Sequence, residues 1–104
     1  MGKNSIIKSL GKIIGNIAMH KLILENTKKP ESKSYLKNEI LEYSADALEK
    51  SQEFNWNDND KLEIKEKSVI RVKNLSNYYK DIRFSESDIE YFVDEIMREL
   101  ELLN

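Results

Sequence analysis

Cysteine is absent from this chain, and histidine, tryptophan and proline each occur once. Without thiols there is no disulfide framework, no thiolate metal site and no cysteine nucleophile, a usage that suits a reducing cytosol. A single histidine, His20, cannot supply the paired Glu-x-x-His motifs that build di-metal helical bundles. Three glycines are too few and too scattered for a phosphate-cradling loop. Long apolar runs are also missing: Lys8, Lys12, Asn16, His20 and Lys21 interrupt the N-terminal stretch well short of the ~18 to 20 residues a spanning helix needs. The same lysines break the apolar region that a secretion signal would require.

What remains is a foldable chain of 104 residues, room for one domain spanning 1–104. Ile, Leu, Val and Phe supply 29 residues, 28 per cent, above the roughly 20 per cent below which charged chains stay disordered. Net charge is −2, too balanced for a protein that neutralises nucleic-acid phosphates, so no nucleic-acid partner is expected. The charge is nevertheless uneven. Residues 1–37 carry eight Lys against Glu25 and Glu31, a net of +6, and residues 38–104 carry a net of −8. Two readings stay open: intramolecular charge balance, or a basic first helix over residues 3–21 that associates weakly with a membrane surface or a partner.

Hydrophobic periodicity predicts four helices, at about 4–26, 35–53, 61–81 and 86–103. In the first, Ile6, Leu10, Ile13, Ile17 and Leu24 recur with helical spacing, with Lys8 and Lys12 opposite. Beyond Ile17 the pattern degrades, which predicts burial on two sides or a bend. Gly11 and Gly15 form a GxxxG spacing, here read as tight packing or a weak helix. His20, on the edge of the stripe, is read as a packed or capping residue. Residues 27–34 hold the one proline and read as a surface turn. The second helix places Leu36, Ile40, Tyr43, Ala47 and Leu48 inward and Glu42, Asp46, Glu49 and Glu53 outward.

Residues 54–60, FNWNDND, break the periodicity. Asn55, Asn57 and Asn59 with Glu66 resemble a calcium loop in spacing, but Asn replaces the usual first Asp and Asp60 the usual Gly, so no metal is expected. Asp60 reads instead as a helix N-cap with Glu63 three residues on, and Trp56 as folding back onto the core. The third helix carries Ile64, Val69, Val72, Leu75, Tyr79 and Ile82 inward. On its other side Lys67, Arg71, Asn74 and Tyr78 form a line of residue types that concentrate binding energy at interfaces. Ser85 and Asp88 have capping-box spacing, with Phe84 and Ile89 placed as a hydrophobic staple. In the fourth helix Ile89, Phe92, Val93, Ile96, Leu100 and Leu103 point inward, leaving Tyr91, Arg98 and Leu102 as a second candidate contact patch. Helices of ~20 residues joined by short turns predict an all-α, antiparallel up-down four-helix bundle, monomeric or weakly dimeric. Nothing assembles a catalytic constellation, so a non-catalytic protein without cofactor is expected.

The segment Val72-Lys73-Asn74-Leu75-Ser76-Asn77-Tyr78-Tyr79-Lys80-Asp81-Ile82-Arg83-Phe84-Ser85, with the acidic helix after it, resembles the pediocin-like (class IIa) bacteriocin immunity proteins, closest to the enterocin A immunity type. Met19-His20-Lys21-Leu22, Glu39-Ile40-Leu41-Glu42 and Ala47-Leu48-Glu49-Lys50 fit more loosely. The resemblance implies a small cytoplasmic antiparallel four-helix bundle; the basic first helix adds the expectation of partial membrane association. It would protect a bacteriocin producer by binding the mannose phosphotransferase permease once the peptide has engaged it. It also implies that discrimination lies in the C-terminal half, which adds Lys80 and Arg83 to the candidate contacts. Many relatives continue past the fourth helix whereas this sequence stops at Asn104; either helix faces carry the specificity or the cognate peptide differs. The competing expectation is a small helical regulatory or scaffold protein that holds a soluble partner.

Overall fold

A computed structural model describes residues 2–103; Met1 and Asn104 lie outside the described residues. Four helices follow one another: α1 (Lys3–Asn26), α2 (Pro30–Ser51), α3 (Asp58–Ser76) and α4 (Glu86–Glu99), with no strand among the described residues. They form a bundle about 40 Å long and 24 Å across. Ile6, near the start of α1, lies beside Glu49 and Lys50 in the last turn of α2, so these two helices are antiparallel. Lys65 pairs with Asp94 at 3.1 Å and Lys73 with Glu86, which makes α3 and α4 antiparallel as well. The up-down order therefore holds.

The arrangement is centred on α1, which packs against each of the other three helices. Ile7, Leu10, Ile14, Ile17, Ala18, Met19 and Leu22 are all essentially inaccessible. That explains the degraded pattern past Ile17: the helix is covered on more than one side, so no single stripe can describe it. By contrast α2 approaches only α1, and it makes no close backbone approach to α3 or α4. Its buried set is correspondingly thin: Leu36, Ala47 and Ser51, flanked by half-buried Ile40 and Tyr43. Leu48, predicted to point inward, is 44 % exposed, at the edge of an open groove shared with Glu99 and Leu100, since α4 makes no close backbone approach on that flank.

The closest crossing is between α1 and α3, which run parallel. A methyl placed on Gly11 would fall 2.5 Å from Cβ of Lys67, and one on Gly15 would fall 2.5 Å from Cγ of Arg71 and 3.0 Å from the Ser68 carbonyl. The GxxxG spacing is thus tight packing in a water-exposed bundle. It works because glycine alone lets two backbones approach this closely. Ser68, fully buried at this crossing, satisfies its hydroxyl by donating to the Ile64 carbonyl at 2.7 Å, one turn back.

Element boundaries differ from the sequence expectation in four places, each for a local reason. The second helix begins at Pro30 rather than near residue 35, since proline at the first helical position needs no N–H partner and already has helical φ. The third begins earlier, with Asn57 rather than Asp60 as N-cap. The Asn57 side chain accepts from the Asp60 N–H at 2.8 Å, and the Asp60 carboxylate accepts from the Asn57 N–H at 3.1 Å. The same helix ends at Ser76, not 81, closing in turns where Tyr78 N–H donates to the Leu75 carbonyl and Tyr79 N–H to that of Ser76. Tyr79, predicted inward, is accordingly 40 % exposed. The fourth helix stops at Glu99. The box at its start forms as its spacing predicts: Ser85 N–H donates to Asp88 at 2.8 Å and Asp88 N–H to Ser85 Oγ at 3.2 Å, while Ile89 is buried and Phe84 packs on the core.

One corner ties three elements together. The Trp56 indole N–H donates to the Ser51 carbonyl at 2.8 Å, Lys3 Nζ sits 5.7 Å from the Trp56 ring centre, and the same ammonium pairs with Asp60 at 2.6 Å. The start of α1 is thereby fastened to the α2–α3 connection.

Candidate functional site

Of the residues singled out on α3, Lys67, Arg71 and Asn74 come together, along the seam with α1. Because Gly11 and Gly15 draw α3 close, the stems of Lys67 and Arg71 are half-buried against α1 and only their charged ends reach solvent. Arg71 Nε donates to Asn16 Oδ1 at 2.9 Å, and Lys67 lies 3.9 Å from Glu63. Lys8 and Lys12 line the same shallow groove of about 280 Å³, with Ile70 and Asn74. Ile70 was not a candidate in the sequence, although an isoleucine out of phase with the buried stripe was its available signal.

Tyr78 does not continue that line, because α3 has already ended. With Tyr79, Lys80 and Ile82 it borders a second open groove, about 640 Å³, whose other wall is the α1–α2 connection around Asn26, Lys28 and Lys29. Tyr78 is 82 % exposed, and Lys80 and Arg83 are exposed beside it. Tyr35, also exposed, carries a phenol whose pKa is pushed up by the neighbouring Glu39 carboxylate. The result is a protruding aromatic and basic corner. It is held from below on both sides: the α3 terminal turns precede it, and the Phe84 anchor with the Ser85–Asp88 box follows it. Lys28 and Lys29 were not candidates, since their place opposite Tyr78 depends on tertiary packing.

The candidate patch on the fourth helix does not exist as predicted. Tyr91 and Arg98 are exposed, but Leu102 is 1 % exposed and belongs to the core. Glu101 adopts φ 61°, the left-handed conformation, and the chain reverses there. Leu102 N–H then donates to the Met97 carbonyl at 2.7 Å and Glu101 N–H to that of Arg98 at 3.0 Å, a Schellman closure that folds Leu102 onto Met97. An uninterrupted helix would have left Leu102 outside. No glycine marks the reversal, so the sequence holds no signal for it.

Other polar residues have structural duties. His20 donates through Nδ1 to the Asn16 carbonyl at 2.6 Å and meets Tyr43 edge to face at 5.6 Å, a packed histidine. Asn57 and Asp60, two of the calcium-like positions, are occupied by the cap. Among the described residues no three His, Asp or Glu side chains are arranged to hold a metal ion, and no helix is long and apolar enough to cross a membrane. No family model, curated protein or solved structure matches the chain.

Proposed function

We propose that this chain is a bacteriocin immunity protein of the pediocin-like type, which acts from the cytoplasmic side by binding the peptide-engaged mannose phosphotransferase permease and performs no catalysis. The observation that carries the reading is the corner from Tyr78 to Ser85. It lies within the Val72–Ser85 stretch that carries the resemblance, and it is both braced at its two ends and outward-facing. Bracing lowers the ordering cost of a contact, and exposed Tyr and Arg are residue types that dominate interface energetics. Tyr78, Lys80 and Arg83 are the contacts, with Lys28 and Lys29 opposite. The competing reading, a soluble partner held on the α3 and α4 faces, keeps Tyr91 and Arg98 as exposed groups but no longer Leu102.

The test is expression of the full chain in a strain sensitive to pediocin-like peptides, challenged with a panel of them. Resistance to at least one peptide is the expected outcome, abolished by Tyr78→Ala with Arg83→Ala in a protein whose melting temperature is retained. Unchanged killing across the panel refutes the proposal.

A further inference from the structure

The first 24 residues contain no acidic side chain, yet the apolar stripe of α1 is spent entirely on the core. The weak membrane-surface association expected of residues 3–21 therefore has only charge to draw on: Ile6, Ile7, Leu10, Ile13, Ile14 and Ile17 are buried in the core and are not free to enter lipid. The charge of α1 is still outside. Lys8 and Lys12 are exposed and have no ion-pair partner among the described residues.

We propose that the face formed by Lys8 and Lys12 of α1 with Lys67, Ile70 and Arg71 of α3 seats this protein on an anionic lipid surface, peripherally and reversibly with salt. Four cations border one shallow groove. Ile70, 56 % exposed, sits among them as the one large apolar group available to enter the headgroup layer. Arg71 is fixed at the rim by Asn16, so its cation is presented without ordering a free side chain. Two carboxylates oppose the field: Glu63, which takes part of the charge of Lys67, and exposed Glu66 on the same helix. The acidic residues Glu49, in α2, and Glu53, just after it, border a different groove, beside Ile6 and Phe54, so they leave this face positive and orient the molecule away from themselves. The cations are spread along two helices around an open groove, which fits an extended anionic plane better than one small anion. The proposal does not depend on the immunity reading and is tested without a cell.

The experiment is flotation of the full chain with phosphatidylcholine vesicles, with and without about 30 per cent phosphatidylglycerol, at about 20 mM and about 500 mM salt, a range over which the screening length shrinks several-fold. Retention is expected on anionic vesicles at low salt only. Lys8→Gln with Lys12→Gln lowers retention about tenfold or more, given the attraction each surface cation contributes. Lys33→Gln with Lys37→Gln, an equal charge loss on exposed positions of α2, leaves it within about twofold. Ile70→Ser lowers retention without changing its salt dependence. Three results overturn the proposal: no retention of the wild-type chain, equal losses in the two double variants, or displacement by glycerol phosphate at matched ionic strength, which would mark a small-anion site. Melting temperatures of the variants, all at exposed positions, verify that each is folded.

Discussion

Replacing Gly15 with alanine sets two effects of opposite sign against each other in one methyl group. In an exposed helix the change is favourable by about 1 kcal/mol, because glycine is the poorer helix former. Here the new Cβ lands 2.5 Å from Cγ of Arg71 and 3.0 Å from the Ser68 carbonyl, with Cβ of Arg71 in the way as well. Carbon atoms need about 3.5 to 4 Å, so α3 must retreat by roughly 1 Å. Neither a Cβ nor a backbone carbonyl can rotate aside. The retreat also loosens the buried row Ile64, Ser68 and Val72, which places the overpacking cost near the upper end of its usual range, ~3 kcal/mol. The net expectation is a loss of about 2 kcal/mol, which for a chain of this size lowers the melting temperature by roughly 10 °C. Thermal unfolding followed by circular dichroism measures it. Lys12→Ala, on the exposed side of the same helix, is the control and should move stability by less than about 0.5 kcal/mol. A Gly15→Ala protein as stable as wild type would refute the close α1–α3 crossing on which the fold description rests.

Three further outcomes test other parts of the structure. Glu101→Gly relieves a left-handed non-glycine residue and should stabilise the protein by about 0.5 to 1 kcal/mol in urea unfolding, less whatever the freer unfolded chain recovers; a loss of stability would contradict the reversal at that residue. Leu102→Ala should cost about 2 to 4 kcal/mol as a buried truncation, whereas Tyr91→Ala at an exposed site should cost little; comparable effects would return Leu102 to the surface. The Lys3 ammonium and the Asn57 N–H hold the Asp60 carboxyl below its usual pKa, and Lys73 does the same for Glu86. A carboxyl depressed in the folded state adds stability above its unfolded pKa and loses it as pH falls through the folded value. Acid titration should therefore erode stability below about pH 4, and Asp60→Asn with Glu86→Gln should flatten that limb by lowering stability at neutral pH, the variant and the wild type converging in acid.

The helices and most of the core were legible because amphipathic spacing reports burial directly. Leu10, Ile17, Ile64, Val72, Phe92 and Ile96 all point where their periodicity says. The box at Ser85 was legible because its geometry is local. Boundaries were less so: the FNWNDND segment offers two overlapping box spacings, and Asn57 wins over Asp60 because it lets Asp60 both cap the helix and receive Lys3. The candidate line on α3 split in two because its spacing assumed a helix that stops at Ser76. The patch at Leu102 failed because a single left-handed residue redirects the side chain after it, and a glutamate gives no warning of that. The groove at Lys8 and Lys12 could not be located from either helix alone, since it exists only once the two glycines have set the distance between them.

That α2 makes its close backbone approach to α1 alone among the helices gives the molecule an order of disassembly. Shedding α2 exposes one flank of α1 but leaves α1, α3 and α4 still engaged with one another, so this helix can detach as a unit below the free energy of global unfolding. Amides of α2 should accordingly trade hydrogen for deuterium ahead of the rest, and those of α1 last, because α1 is the one helix that contacts all three others.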